Sequence, residues 1–244
     1  MPYIKWQYLI TDGKGHQAVT PLRVPTMVGP FQAVRVGPPQ AVRITTCRRT
    51  LSTMLDEECT YQAGTADLAA AHLDAICTVY DQVFSQPPFH WRADEPALHR
   101  TRLEQLLADE SFGITVALMR GELVGFAYGF TLPATTQRWS HLTEPLPEET
   151  TREWPGRTFM LFDFAVLAPA RGRRVGRTLH DGLLGSRAEQ RATLTVQPTA
   201  ADTKAIYRHW GWYQVGQMEG GPTAAAPLFD VYLRDSLDDL RHTR

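Results

Sequence analysis

The sequence predicts an α/β fold, and three observations carry that prediction. An apolar run, TFMLFDFAVL, passes through a turn into helical periodicity, and RATLTVQP and ADTKAIYRHWGW follow it. That order of strand, helix, strand and helix is a βαβ-type unit, which sets two strands parallel with a helix crossing between them. Two further apolar runs, ITVALMR and LVGFAYGF, are joined by Arg120-Gly121-Glu122 and read as a β-hairpin with a tight turn. Upstream of them, apolar residues recur at helical spacing from Leu68 to Phe84.

Taken in order, residues 1–55 read as a β-rich N-terminal extension or small subdomain. YIKWQYLI, TDGKGH and QAVTPLRV have the look of a hairpin, and FQAVRVGPPQAVRIT of a second strand pair. The pattern changes near Ala63, so the main domain is taken as 56–244. TADLAAAHLDAICTVYDQVF is the first helix, with Thr65 or Asp67 as its N-cap. SQPPFHW stops it, because two prolines cannot continue a helix. A second helix is expected over Glu95–Asp109. Residues 131–157 form a long loop rich in proline, threonine and glutamate; loops of that length are lids or disordered segments. TFMLFDFAVL is a strand buried on both faces. A helix over about 175–188 places Val175, Leu179 and Leu183 on one face, and PLFDVYL is the last strand.

Composition narrows the function classes. The chain has 244 residues, enough to bury a core without metals or disulfides. Its 25 basic residues balance 26 acidic ones, so no global field points to nucleic acid. Three cysteines, without a C-x-x-C spacing, read as reduced thiols of a cytoplasmic protein. The N-terminus, MPYIKWQYLI, has no secretory apolar region, and no run reaches the ~20 apolar residues of a membrane helix. Ser140-His141 lacks a nucleophile elbow. His90 and His99 fit no zinc spacing, so no metal is expected, and the eight histidines read as surface or core residues.

One local feature departs from that bland background. Arg171, Gly172, Arg173, Arg174, Val175, Gly176 and Arg177 lie between the long apolar strand and its helix. A helix N-terminus exposes unpaired N–H groups and partial positive charge, which suits phosphate. Glycines allow close backbone approach and arginines add bidentate donors. The physical reading is a pyrophosphate cradle, with a solvated arginine-rich loop as its alternative.

VLAPARGRRVGRTLHDGLL resembles the Arg/Gln-x-x-Gly-x-Gly/Ala turn of the GNAT superfamily of acyl-CoA-dependent N-acyltransferases. AIYRHWGWYQVG resembles that family's A-x-x-x-Y-x-x-x-G-F segment, with Trp212 in the Phe place. LMRGELVGFAYG and TADLAAAHLDAICTVYDQVF resemble its second and third strands and its first helix, so the likeness spans roughly 58–235 in order. It implies a mixed, mostly antiparallel sheet flanked by helices. It implies acetyl-CoA or another acyl-CoA as cofactor, with pantetheine along Phe164, Ala165 and Val166 between splayed strands, and pyrophosphate on Arg171 to Arg177. Asp163 is implied as the base and Tyr207 as the acid that protonates the leaving thiolate. Phe89, Tyr128 and Trp139 are expected around the acceptor, a small-molecule amine. Homodimers are common in the family. Three positions depart from its pattern: Arg174 replaces the first glycine of the turn, Thr199 and Ala200 stand where an asparagine is usual, and Asp163 is shorter than glutamate. Arg174, Ala200 and the extra N-terminal region keep a rival reading, a non-catalytic or divergent acyl-CoA-binding protein, and a different reaction on the same fold, acyl-CoA decarboxylation, is a third.

Overall fold

The computed structural model describes residues 59–241, and the expectations for residues 1–55 lie outside them. The described chain runs β1 (Cys59–Gly64), α1 (Ala66–Ala71), α2 (Leu73–Phe84), α3 (Glu95–Leu106), β2 (Gly113–Met119), β3 (Glu122–Thr131), α4 (Glu148–Thr151) and β4 (Thr158–Val166). It continues through α5 (Val175–Gly185), β5 (Arg191–Val196), α6 (Ala201–His209), β6 (Tyr213–Glu219), β7 (Leu228–Arg234) and α7 (Asp238–Arg241). The seven strands form one sheet in the order β1-β2-β3-β4-β5-β7-β6. Only β4 and β5 pair in parallel.

Local chemistry accounts for the expected elements. The β2–β3 hairpin turns on Arg120 and Gly121, both at positive φ (56° and 83°), the backbone whose twist matches paired strands. On α5, Val175, Leu179 and Leu183 are buried together at the predicted spacing. The first helix differs from expectation: it breaks at His72 (φ −114°, ψ 14°) into α1 and α2. Thr65 precedes α1 as its N-cap residue but makes no side-chain capping bond.

Two apolar cores lie on opposite faces of the sheet. Ile76, Val79 and Tyr80 of α2 and Leu103 of α3 pack over one face, against Phe126, Tyr128, Phe130 and Met160. Leu179 and Leu183 of α5 and Tyr207 of α6 pack over the other, against Ala127, Phe159 and Leu161. The long loop is ordered, with a 3-10 turn at Arg138–His141 and the short α4. Its Glu153 carboxylate accepts from Trp139 Nε1 (3.0 Å), Thr158 Oγ1 and Arg191 Nη2 (2.9 Å), which ties the loop to the start of β4 and β5. Among the described residues no helix is long and apolar enough to cross a membrane.

The site is shaped by a bulge in β4. Tyr128 faces Asp163 across the β3–β4 ladder, but its neighbour Gly129 faces Leu161, so Phe162 is an extra residue on β4. The extra residue resets the alternation of the strand. Met160, Phe162 and Ala165 face the α2–α3 core, whereas Leu161, Phe164 and Val166 face the α5–α6 core. Asp163 therefore follows Phe162 onto the same face and meets Tyr128. Bulges commonly re-aim a side chain in this way. Gly129 permits it: a Cβ there would sit 1.9 Å from the Met160 carbonyl oxygen.

Candidate active site

β4 and β5 pair only at Thr158 with Arg191, Phe159 with Ala192 and Met160 with Thr193. Beyond those three rungs β4 continues to Val166 and β5 to Val196, and a cavity of about 900 Å³ opens between them. Open sheets bind ligands at the carboxyl ends of their parallel strands, where this cavity lies. From Leu161 onward the β5-facing edge of β4 has no strand partner, so an extended ligand with amide groups could pair with it as an added strand. Phe164, Ala165 and Val166 all line the cavity.

The arginine turn closes one part of this space. Arg171, Gly172, Arg174, Val175, Gly176 and Arg177 line it, and Arg173 does not. Arg174 is the residue preceding α5 and adopts φ 64°, ψ 3°, a left-handed backbone that disfavours side chains. Arg174 stands where the resemblance leads one to expect glycine, and its side chain bears the strain of this backbone. Gly172 has φ 76° and open space around it. The N–H groups of Val175, Gly176 and Arg177 have no acceptor within the helix they start. Arg171 Nε donates to Val166 O (2.9 Å), and Arg177 pairs with Asp181 (2.5 Å) below the Trp210 ring. The chemistry the turn offers to the cavity is therefore that of backbone amides as well as guanidinium groups.

Asp163 sits in the cavity wall with its side chain 15% exposed. Tyr128 donates its hydroxyl proton to Asp163 Oδ2 in a short hydrogen bond. Burial raises the Asp163 pKa to about 6, against the lowering effect of Arg102 and of the Tyr128 hydrogen bond. A carboxylate so placed is charged at neutral pH yet more basic than usual, as a general base requires. Tyr207, on α6, lines the same cavity and is 7% exposed. Its pKa is pushed up by burial and then by the Asp163 charge, so it carries its proton at any physiological pH. Phe164 and Trp210 flank its ring at 6.5 and 6.0 Å. Behind Trp210, His180 is locked: Trp212 Nε1 donates to its Nε2 (2.9 Å), leaving Nδ1–H for Asp181 (2.7 Å).

The three aromatic residues expected at the acceptor take different places. Phe89 lines the cavity, beside Phe84 at 4.9 Å. Tyr128 is fully buried behind Asp163 and touches the cavity only through that carboxylate. Trp139 is 8% exposed and packs into the core beside Arg138. Among the described residues none of the long loop lines the cavity, because Glu153 ties the loop to the opposite end of β4. The residues where an asparagine is usual behave differently from one. Thr199 Oγ1 donates to Pro88 O (2.7 Å), and Ala200 is buried in the cavity wall.

Sequence reading missed a polar cluster behind Asp163. His99 is fully buried, with Nε2 3.1 Å from the Tyr128 hydroxyl and 3.7 Å from Asp163 Oδ2. Glu95, also fully buried, accepts from Tyr80 (2.9 Å) and Arg102 (2.5 Å). The signal was present in the spacing: Glu95, His99 and Leu103 recur every fourth residue, and all three are buried on one face of α3.

The comparisons with known proteins bear on the family and the fold. The chain belongs to the acetyltransferase (GNAT) family, whose model matches residues 76–212. Among solved structures, PH1933 from Pyrococcus horikoshii is similar over 73% of this chain and 99% of its own, with 15% identity and a TM-score of 0.51. Ribosomal-protein-alanine N-acetyltransferase from Brucella melitensis is similar over 72% of this chain and 99% of its own, with 18% identity and a TM-score of 0.50. At those identities the likeness is one of fold. No curated protein matches the chain in sequence.

Proposed function

We propose that the protein transfers an acetyl or other acyl group from acyl-CoA to the amine of a small molecule. The observation that carries this reading is the placing of Asp163 and Tyr207 on one cavity, between strands that part after three rungs. The unpaired edge of β4 at Phe164, Ala165 and Val166 suits the amides of pantetheine, and the backbone of Gly172 to Arg177 suits its pyrophosphate. When bound, acyl-CoA supplies the thioester carbonyl that the amine attacks directly. Asp163 takes the proton from the incoming ammonium, directly or through water. Tyr207 gives its proton to the departing sulfur. Phe84 and Phe89 supply apolar wall for the body of the acceptor. The Asp163 charge attracts the cationic amine before it is deprotonated.

The test is release of free thiol from acetyl-CoA in the presence of a panel of amines, with product mass. Amine-dependent thiol release, with the acyl group found on the amine, is expected. It should fall on the order of 10²-fold in Asp163→Asn and about 10-fold in Tyr207→Phe, with acetyl-CoA affinity held in both. Tight acetyl-CoA binding without turnover on any amine would favour a non-catalytic binding protein. Loss of carbon dioxide from malonyl-CoA would favour decarboxylation.

A further inference from the structure

His99 makes the least expected contact in the molecule. It is a fully buried imidazole on α3, stacked on the Tyr80 ring at 3.6 Å and 6°. Its Nε2 lies 3.1 Å from the Tyr128 hydroxyl, and its Nδ1 is buried without a hydrogen-bond partner among the described residues. Those facts fix where the protons are. Tyr128 has one hydroxyl proton, and it goes to Asp163. His99 must then be the donor to the Tyr128 oxygen. Burial, with Arg102 and Arg100 nearby, drops the His99 pKa to about 3, so the ring is neutral and has a single N–H. A proton on Nδ1 would be a buried donor with no acceptor, so it belongs on Nε2. Donation runs one way: His99 Nε2–H to Tyr128, and Tyr128 O–H to Asp163 Oδ2.

We propose that His99, acting through Tyr128, holds the Asp163 carboxylate in its charged form with Oδ2 occupied, leaving Oδ1 for the proton of the acceptor amine. The proposal rests on the reading of Asp163 as the base. His99 lines no part of the cavity, so it is a positioning residue. Other charged and titratable groups act on Asp163 from each neighbouring element. Arg102 of α3 favours its charge and Glu95 of α3 opposes it. Tyr80 of α2 and Tyr207 of α6 stay neutral, raised by burial first and by Asp163 next. Hydrogen bonds to the charged form favour it against burial. A leucine at position 99 would fill the same core beside Leu103 and leave no unpaired nitrogen. Packing alone therefore does not account for the imidazole.

The test is a ¹³C-carboxyl NMR titration of aspartate-labelled protein, with Asp163→Asn identifying the resonance. The wild type is compared with His99→Leu, His99→Gln and Tyr128→Phe. The acid dissociation constant of Asp163 should fall roughly tenfold in His99→Leu and further in Tyr128→Phe, and recover in His99→Gln, whose amide can donate. The acid limb of kcat for amine acylation should move with it while KM for acetyl-CoA holds. An Asp163 midpoint unchanged in both His99→Leu and Tyr128→Phe would overturn the proposal; Tyr128→Phe loses one atom and keeps the test alive if His99→Leu does not fold. Failure of the base assignment reads differently. Asp163→Asn would then acylate amines at the wild-type rate, whatever the NMR midpoints do.

Discussion

The two halves of β4 are both mainly apolar and have opposite fates. Phe159 and Met160 are paired on both sides, Thr158 pairs with Arg191 and accepts from Leu132 N–H (2.8 Å), and all three are at most 5% exposed. From Asp163 to Val166 the strand is paired on one side only, and of these residues and Phe162 all but Ala165 are half-buried. The first half is sheet interior. The second continues the strand with a bulge inserted and a neighbour withdrawn, and that suffices to make a cavity wall with one carboxylate in it. The cavity needs few special residues, because it is made by what the sheet stops doing.

Breaking the first half should cost the most. Phe159→Ala removes a fully buried ring and is expected to destabilise the fold by about 3–5 kcal/mol, read from denaturant midpoints at constant m. Phe164→Ala, on the cavity side, should cost about 1 kcal/mol of stability but weaken acetyl-CoA binding more than Phe159→Ala does. Equal stability losses for the two would erase the contrast between the halves.

The next test uses pH. Asp163 holds its proton up to about pH 6 in the folded state, whereas an unfolded aspartate releases it near 4. The folded state therefore binds more protons in that window, and stability falls as pH rises through it. His99 acts in the opposite sense. Its folded pKa of about 3 lies below the unfolded value near 6.5, so its contribution is lost as pH falls from 6.5 toward 3. The wild type should show a shallow dependence between pH 4 and 6. Asp163→Asn should show a steeper rise with pH and greater stability at pH 7, by chemical denaturation at each pH. A flat Asp163→Asn profile would show that the two groups do not oppose one another. For activity, kcat/KM should climb through an acid limb near pH 6 if the Asp163 carboxylate is the base.

The smallest effect is expected at the turn. Arg174→Gly relieves a left-handed side chain worth about 1 kcal/mol, but glycine adds a similar entropy to the unfolded chain. Net stability should change by less than about 1 kcal/mol. Acetyl-CoA affinity then discriminates: unchanged binding means the turn works through its backbone alone, and weaker binding means the Arg174 side chain contributes.

The sequence was legible where burial imposes a pattern. The β2–β3 hairpin, the β4–α5–β5 unit and the buried stripe of α5 all follow from apolar spacing. Both unforeseen strands, β1 and β6, are the edges of the sheet. CTYQAG has four exposed residues of six, and YQVGQME buries only Met218, so neither shows alternation. The bulge escapes any periodic reading, since one inserted residue in LFDFAV changes the face of Asp163 and of every residue after it without any mark in the apolar pattern. His99 was hidden for another reason. Its helix is polar overall, and a histidine between Glu95 and Leu103 looks like surface until the four-residue repeat is followed. Trp139 was misplaced because a long loop with aromatics suggests a lid, and the Glu153 link to Arg191 sends it elsewhere.

The three rungs between β4 and β5 also bear on how the molecule holds together in time. They carry all the main-chain ladder bonding between β1–β4 on one side and β5, β7 and β6 on the other. Each side has antiparallel pairs of its own, including the β2–β3 and β6–β7 hairpins. Hydrogen exchange should therefore resolve two cooperative units, with the amides of the junction exchanging as the less stable unit opens. The parting of strands that makes the cavity is thereby also where the fold is expected to divide first.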